Sequence, residues 1–303
     1  MSKRIALIIY NDTYQHPSLS RLKRPPTDTY TLAELLRDPA IGSFHRVELL
    51  LNQPAAEICR CLADLFHGKR RNDELLLYFI GHGLLDERGQ LYLAAVDTRL
   101  DTVAETAISV AYLTGCMDRS FSRRQILLLD CHYSQISPTH IDSGLSAGGS
   151  LATVFRGRGY GRIVLAANHP APDILAGETL GQATDPGFTH HLIQGLQTGA
   201  ADGDKDGQVE LRELYEYIQD HSEQTISWFQ PRHQTYGDLD KFILARNPQQ
   251  FVPAQPVKWD LISGAIMTPL TIIVIGGRSD LFASIGLAGL FLLLYTLLYL
   301  APD

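Results

Sequence analysis

Two residues stand where apolar runs end, and their types suit nucleophilic chemistry. His82 follows Glu74–Ile80 (ELLLYFI), and Cys131 follows Gln125–Asp130 (QILLLD) 49 residues later. On neighbouring strands an imidazole can act as base for a thiolate nucleophile. The backbone N–H groups of Gly83 and of the nucleophile would then form an oxyanion hole, and the glycines around His82 would let a peptide approach the main chain. Taken singly, His82 reads as a satisfied loop histidine and Cys131 as a buried small hydrophobe. Two such residues at two strand ends carry the chemical reading.

A second constellation suits a hard cation. Asp202 to Glu213 fits the twelve-residue calcium loop throughout, with carboxylates at positions 1, 3, 5, 9 and 12, glycine at 6 and an apolar residue at 8. Asp202, Asp204, Asp206, Gln208 and Glu213 are the candidate ligands and Ca2+ the expected ion. Helical patterns flank the loop at Phe188–Gln197 and Leu211–His221. The plainer alternative is an acidic turn with a helix N-cap. No second such loop occurs in the chain.

The elements that must position these residues alternate. Arg4–Tyr10, Val47–Leu51, Glu74–Ile80, Gln125–Asp130 and Arg162–Ala167 read as buried strands, and Lys241–Ala245 as a sixth. Helices are expected from Pro25–Asp28 to about Pro39, and from Pro54 to about His67, where Gly68 ends the second. This alternation predicts an α/β sandwich around a mostly parallel sheet, whose carboxyl edge is where such sheets build their sites. Ser134–Ser150 reads as a mobile Ser/Gly-rich loop, and Pro248–Pro256 as a linker.

Beyond the linker, residues 261–277 and 281–301 carry no charge over 17 and 21 residues. At about 1.5 Å per residue the second spans a bilayer core of about 30 Å and the first nearly does. The Gly276–Asp280 turn makes them a two-helix hairpin, against the alternative of a buried soluble hairpin. Gly286, Ala288 and Gly289 would let such helices pack closely, so self-association fits. The chain therefore divides into a domain at 1–247, a linker at 248–257 and two membrane helices at 258–303.

Of 303 residues, 26 are Lys or Arg and 33 are Asp or Glu. Without those from Lys258 onward, 24 basic and 30 acidic residues remain, so the globular part is mildly acidic and nucleic acid is not an expected partner. Four cysteines without a CxxC pair or zinc spacing make neither a disulfide framework nor a structural metal site. The N-terminal run reads as a strand rather than a signal peptide, which predicts a cytoplasmic domain on an inner-membrane, multi-pass anchor.

In order along the chain, ALIIYNDTY, RPPTD, DELLLYFIGHG, LLLDCHYS, GFTHHLIQGLQTG, ADGDKDGQVELRELYEYI and GDLDKFILARNP resemble the caspase/metacaspase superfamily, peptidase clan CD. The resemblance covers nearly all of residues 4–247 and looks closest to bacterial caspase-like proteins of conflict systems. The interval from His82 to Cys131 is near the roughly 50 residues between histidine and cysteine in caspases. The resemblance implies a six-stranded caspase-hemoglobinase sandwich, cysteine endopeptidase activity on polypeptides, and calcium activation. It also implies a basic P1 preference through two acidic residues matching Asp28 and Asp130, although Asp28 equally suits a helix N-terminus.

One departure divides the functional reading. The family motif is Asp-x-Cys, often Asp-Cys-Cys-Tyr-Ser-Gly, whereas this chain has Asp130-Cys131-His132-Tyr133-Ser134-Gln135. Aligned without a gap, His132 takes the nucleophile's place. Successive strand residues face opposite sides, so Cys131 would point away from His82 unless a bulge or early turn re-aims it. Two expectations follow. One is a membrane-anchored cysteine endopeptidase using Cys131, active in defence or cell death. The other is a catalytically inactive module of the same fold that binds partners or oligomerises and acts through its hairpin.

Overall fold

The computed structural model describes residues 2–19, 22, 26–86, 88–135, 162–170, 187–225, 230–236 and 242–250. The expected apolar hairpin, most of the Ser/Gly-rich loop and the linker from 251 onward lie outside them. Among the described residues no helix is long and apolar enough to cross a membrane.

The chain forms β1 (Arg4–Tyr10), α1 (Thr27–Arg37), β2 (Arg46–Leu51), α2 (Ala55–Phe66) and β3 (Glu74–Leu85). β4 (Leu91–Leu93), a one-turn α3 (Val103–Thr106), β5 (Ile108–Ser109), α4 (Val110–Arg119) and β6 (Arg124–Gln135) follow. Then come β7 (Arg162–Pro170), α5 (Gly187–Thr198), β8 (Gln208–Glu210), α6 (Leu211–Thr225), β9 (Gln230–Tyr236) and β10 (Ile243–Arg246). The sheet runs in the order β2-β1-β3-β6-β7-β9, with β4 and β5 added beside β3. Its first five strands are parallel and β9 is antiparallel, so the mostly parallel α/β architecture stands.

Three features differ from the sequence expectation. β3 and β6 do not end before the candidate residues but run on through them to Leu85 and Gln135. The sixth strand of the main path is the polar β9, not residues 241–245. The apolar run there does form a strand, β10, but it pairs with β8 in a separate two-stranded ribbon.

Alternation along the strands splits the core in two. Leu75, Leu77, Phe79, Leu127 and Leu129 join α2 and α4 residues such as Ile58, Leu62 and Leu113. Leu76, Tyr78, Ile80, Ile126 and Leu128 join α1, α5 and α6 residues such as Leu32, Leu192 and Leu214. Each fully buried Leu or Ile contributes about 1.5–3 kcal/mol by leaving water. At the amino edge, Arg4, Glu74 and Arg124 form one register row across β1, β3 and β6. Glu74 bridges Arg4 at 2.6 Å and Arg124 at 3.3 Å. Arg4 also donates to the carbonyls of Ile243 and Leu244, both at 2.9 Å, and so ties β1 to β10.

Candidate active site

β3 and β6 carry the candidate residues, and their pairing decides how they meet. The parallel register is unbroken from Glu74 opposite Arg124 to Leu85 opposite Gln135. Gly81 stands opposite Cys131, His82 opposite His132, and Gly83 opposite Tyr133. No bulge interrupts this ladder to re-aim Cys131. Its thiol is fully buried in the cluster facing α2 and α4, with Phe79 and Leu129. The structure therefore pairs His82 with position 132 and turns Cys131 to the other side of the sheet. All four cysteines are thiols.

β7 adds a residue that sequence reasoning missed. His169 stands opposite His132, so positions 82, 132 and 169 make one row across three strands. The signal was present: β7 is a third apolar strand that runs into a histidine.

His82 is buried, only 2% exposed. Its amide donates to the Tyr14 hydroxyl at 3.1 Å, and its carbonyl accepts from Ala94 at 2.9 Å. The two rings lie 5.0 Å apart, tilted by 52°. Tyr14 in turn donates to the carbonyl of Asn11 at 2.7 Å. Burial pushes the Tyr14 phenol far above its ordinary value. The hydrogen bond from His82 lowers it, and nearby Cys131, Asp12 and Tyr10 raise it further. Tyr14 thus stays protonated and latches the loop after β1 onto the histidine strand. Gly81 makes room for this latch. A Cβ there would stand 2.8 Å from the Phe79 ring and 3.1 Å from the Tyr14 oxygen. Gly83 is buried and paired with Leu93 of β4 on its other side.

The two acidic residues carried over for a basic P1 pocket have different settings. Asp28 is half-buried in the first turn of α1, where its charge suits the helix dipole. Asp130 is fully buried and accepts from Thr189 of α5 at 2.9 Å. Because the single Thr189 proton goes to Asp130, Tyr78 donates to Thr189, at 2.7 Å. This relay fastens α5 to β3 and β6. Thr189→Val removes its middle member, and denaturant titration is expected to show a loss of about 1–3 kcal/mol.

At the acidic loop, carboxylate oxygens of Asp202, Asp204 and Asp206 lie within 4.8 Å of one another. Lys205 and Gly207 take left-handed conformations, φ 62° and 88°, which make the sharp turn expected at position 6. Glu213 is not among the converging oxygens. It accepts from the amides of Gly203 (2.9 Å), Asp204 (3.1 Å) and Glu210 (2.9 Å). Gln208 begins β8, and its side chain donates to Asp206 at 3.2 Å.

Comparison with known proteins bears on the whole domain. No curated protein matches the chain. The solved structure of protein GSU0716 from Geobacter sulfurreducens is similar at a TM-score of 0.52, covering 83% of this chain and all of that one. At 14% identity that likeness shows the fold alone. The caspase-domain family model, Peptidase C14, matches residues 3–223. That match takes in the histidine strand, the strand of Cys131 and position 132, and the acidic loop, and on it the chain belongs to the caspase-domain family.

Proposed function

We propose that this chain is a caspase-fold module that does not hydrolyse peptides through Cys131 and works instead by binding a polypeptide partner. One observation carries the reading: the unbroken β3–β6 ladder gives position 132, a histidine, the place beside His82 and buries Cys131 on the opposite face. A thiolate must reach both its base and the scissile carbonyl, and a thiol buried across the sheet reaches neither. The uncharged segments 261–277 and 281–301 support a membrane anchor, and self-association of that hairpin as the output.

The competing reading is a cysteine endopeptidase cleaving after basic residues. The intact Gly81-His82-Gly83 run and the buried Asp130 favour it. It requires the β3–β6 ladder to open beyond Ile80 when substrate binds. An electrophilic peptide with P1 arginine, applied to the full-length protein in detergent, separates the two. The expected result is no labelling that depends on Cys131. Labelling lost in both Cys131→Ala and His82→Ala would establish the endopeptidase. In cell fractions the protein is expected in carbonate-resistant membranes, and release by carbonate would remove the anchor from the proposal.

A further inference from the structure

The acidic loop is held by the last described strand of the domain. Its short strand β8 presents a ladder edge that a lone loop would leave open. β10 fills it, with Ile243 opposite Glu210, Ala245 opposite Val209 and Arg246 opposite Gln208. The chain then turns back over the loop. The Asn247 amide donates to the carbonyl of Gly207 at 2.9 Å, and its side chain donates to Asp202 Oδ2, also at 2.9 Å. Gly199 makes room for this contact, since a Cβ there would stand 2.0 Å from Asn247 Oδ1. Both Asn247 and Asp202 are 5% exposed.

A second observation points to a ligand. Asp202 Oδ2 is taken by Gly207 and Asn247, but Oδ1 is buried with no hydrogen-bond partner among the described residues. A buried carboxylate oxygen left this way is costly, and a cation relieves it. Three aspartates and all-oxygen donors on an irregular loop suit Ca2+ better than Mg2+, which demands a near-ideal octahedron.

We propose that Asp202, Asp204 and Asp206 bind one Ca2+ ion, and that Asn247 completes the site by orienting Asp202, so that cation binding and docking of residues 243–250 form one equilibrium. Asn247 is a positioning residue: it holds a ligand and does not touch the ion. Linkage makes the coupling reciprocal. Whatever factor docking adds to Ca2+ affinity, Ca2+ adds to docking. Glu213 can join as the twelfth-position ligand by exchanging its three backbone bonds for the ion. The segment so fastened leads directly into the residues before the first apolar stretch, so the cation regulates how firmly the chain leaves the domain. The proposal does not depend on whether the chain cleaves peptides.

The test uses the full-length protein in detergent, titrated with CaCl2 by calorimetry and followed by amide hydrogen exchange. One site is expected, with slower exchange in peptides covering both 208–213 and 243–250, and no such effect from MgCl2 at the same concentration. Asp202→Asn should abolish both signals. Asn247→Ala should weaken Ca2+ binding about 10–100-fold, as loss of a ligand-orienting partner does, and should remove the protection of 243–250. Melting in EDTA checks that each variant is folded, and exchange in the wild type needs no variant at all. Absence of binding at millimolar Ca2+ overturns the site. Protection confined to 208–213, or unchanged affinity in folded Asn247→Ala, overturns the coupling.

Discussion

A His132→Cys variant of the full-length chain is expected to cleave peptides after Arg or Lys about 10²–10⁴-fold above the wild-type background, the range a positioned base contributes. The register sets this expectation. Position 132 lies one strand from His82 in the same row, roughly 4.8 Å away between main chains, whereas Cys131 lies in the row of Gly81. The new thiol would therefore enter the row of His82, the place that the caspase resemblance implies for the nucleophile. Cys131→Ala in the same background should leave the new activity in place, because Cys131 lies in the row of Gly81 and packs in the α2/α4 core. Because His169 flanks position 132 on the other side, His82→Ala and His169→Ala each need testing in combination with His132→Cys. Loss of activity only in the first assigns the base to His82. A folded His132→Cys protein that neither turns over a fluorogenic Arg peptide nor takes up the electrophilic probe would refute the register argument.

The largest expected loss of stability comes from Gly42→Ala. Gly42 closes the turn after α1, where its amide donates to Leu35 and that of Phe44 to Leu36. A Cβ at this position would stand 2.4 Å from both the Cα and the carbonyl oxygen of Leu36. Those are backbone atoms in the last turn of a helix, so no side chain can swing aside. The cost is expected near the top of the overpacking range, about 3 kcal/mol. For a domain of this size that lowers Tm by about 6–12 °C. Gly68→Ala is the contrast: φ is 67° there but the space is open, so only the left-handed backbone penalty of about 1–2 kcal/mol applies. A scanning calorimetry or circular-dichroism melt compares them. Equal shifts would mean that the α1 turn moves to accept the methyl group.

The buried parallel strands and the two helices that begin at prolines were legible because their patterns are local. ELLLYFI and QILLLD are too apolar to be anything but covered strands. Their overrun was not legible. Gly81-His82-Gly83 and Cys131–Gln135 have turn and polar composition, yet the β3–β6 pairing carries the ladder through them. β9, QPRHQTY, has no apolar alternation, and its antiparallel ladder with β7 is not visible in a local pattern. β10 was legible as a strand but not as part of a ribbon, because a period of two names no partner. At the site, His82 and the displacement of Cys131 could be read from motif and alternation. Tyr14, Thr189 and Asn247 could not, since each acts through a contact dozens of residues away.

Arg4 gives the fold an order in time. Its guanidinium holds Glu74 early in the chain, but its bonds to β10 span 239 residues to Ile243. At about 5–20 residues per second, ribosomal synthesis needs roughly 12–48 s to cover that distance. β1, β3 and β6 can pair within the interval, while the Arg4 hydrogen bonds to Ile243 and Leu244 must wait. The ribbon of β8 and β10 is thus the last described part of the domain to be made. Only thirteen residues, roughly 1–3 s of elongation, lie between Asn247 and Leu261, where the first uncharged stretch begins. Closure of the ribbon and synthesis of that stretch are therefore almost simultaneous, and slowing the ribosome between them would give the ribbon time to close first.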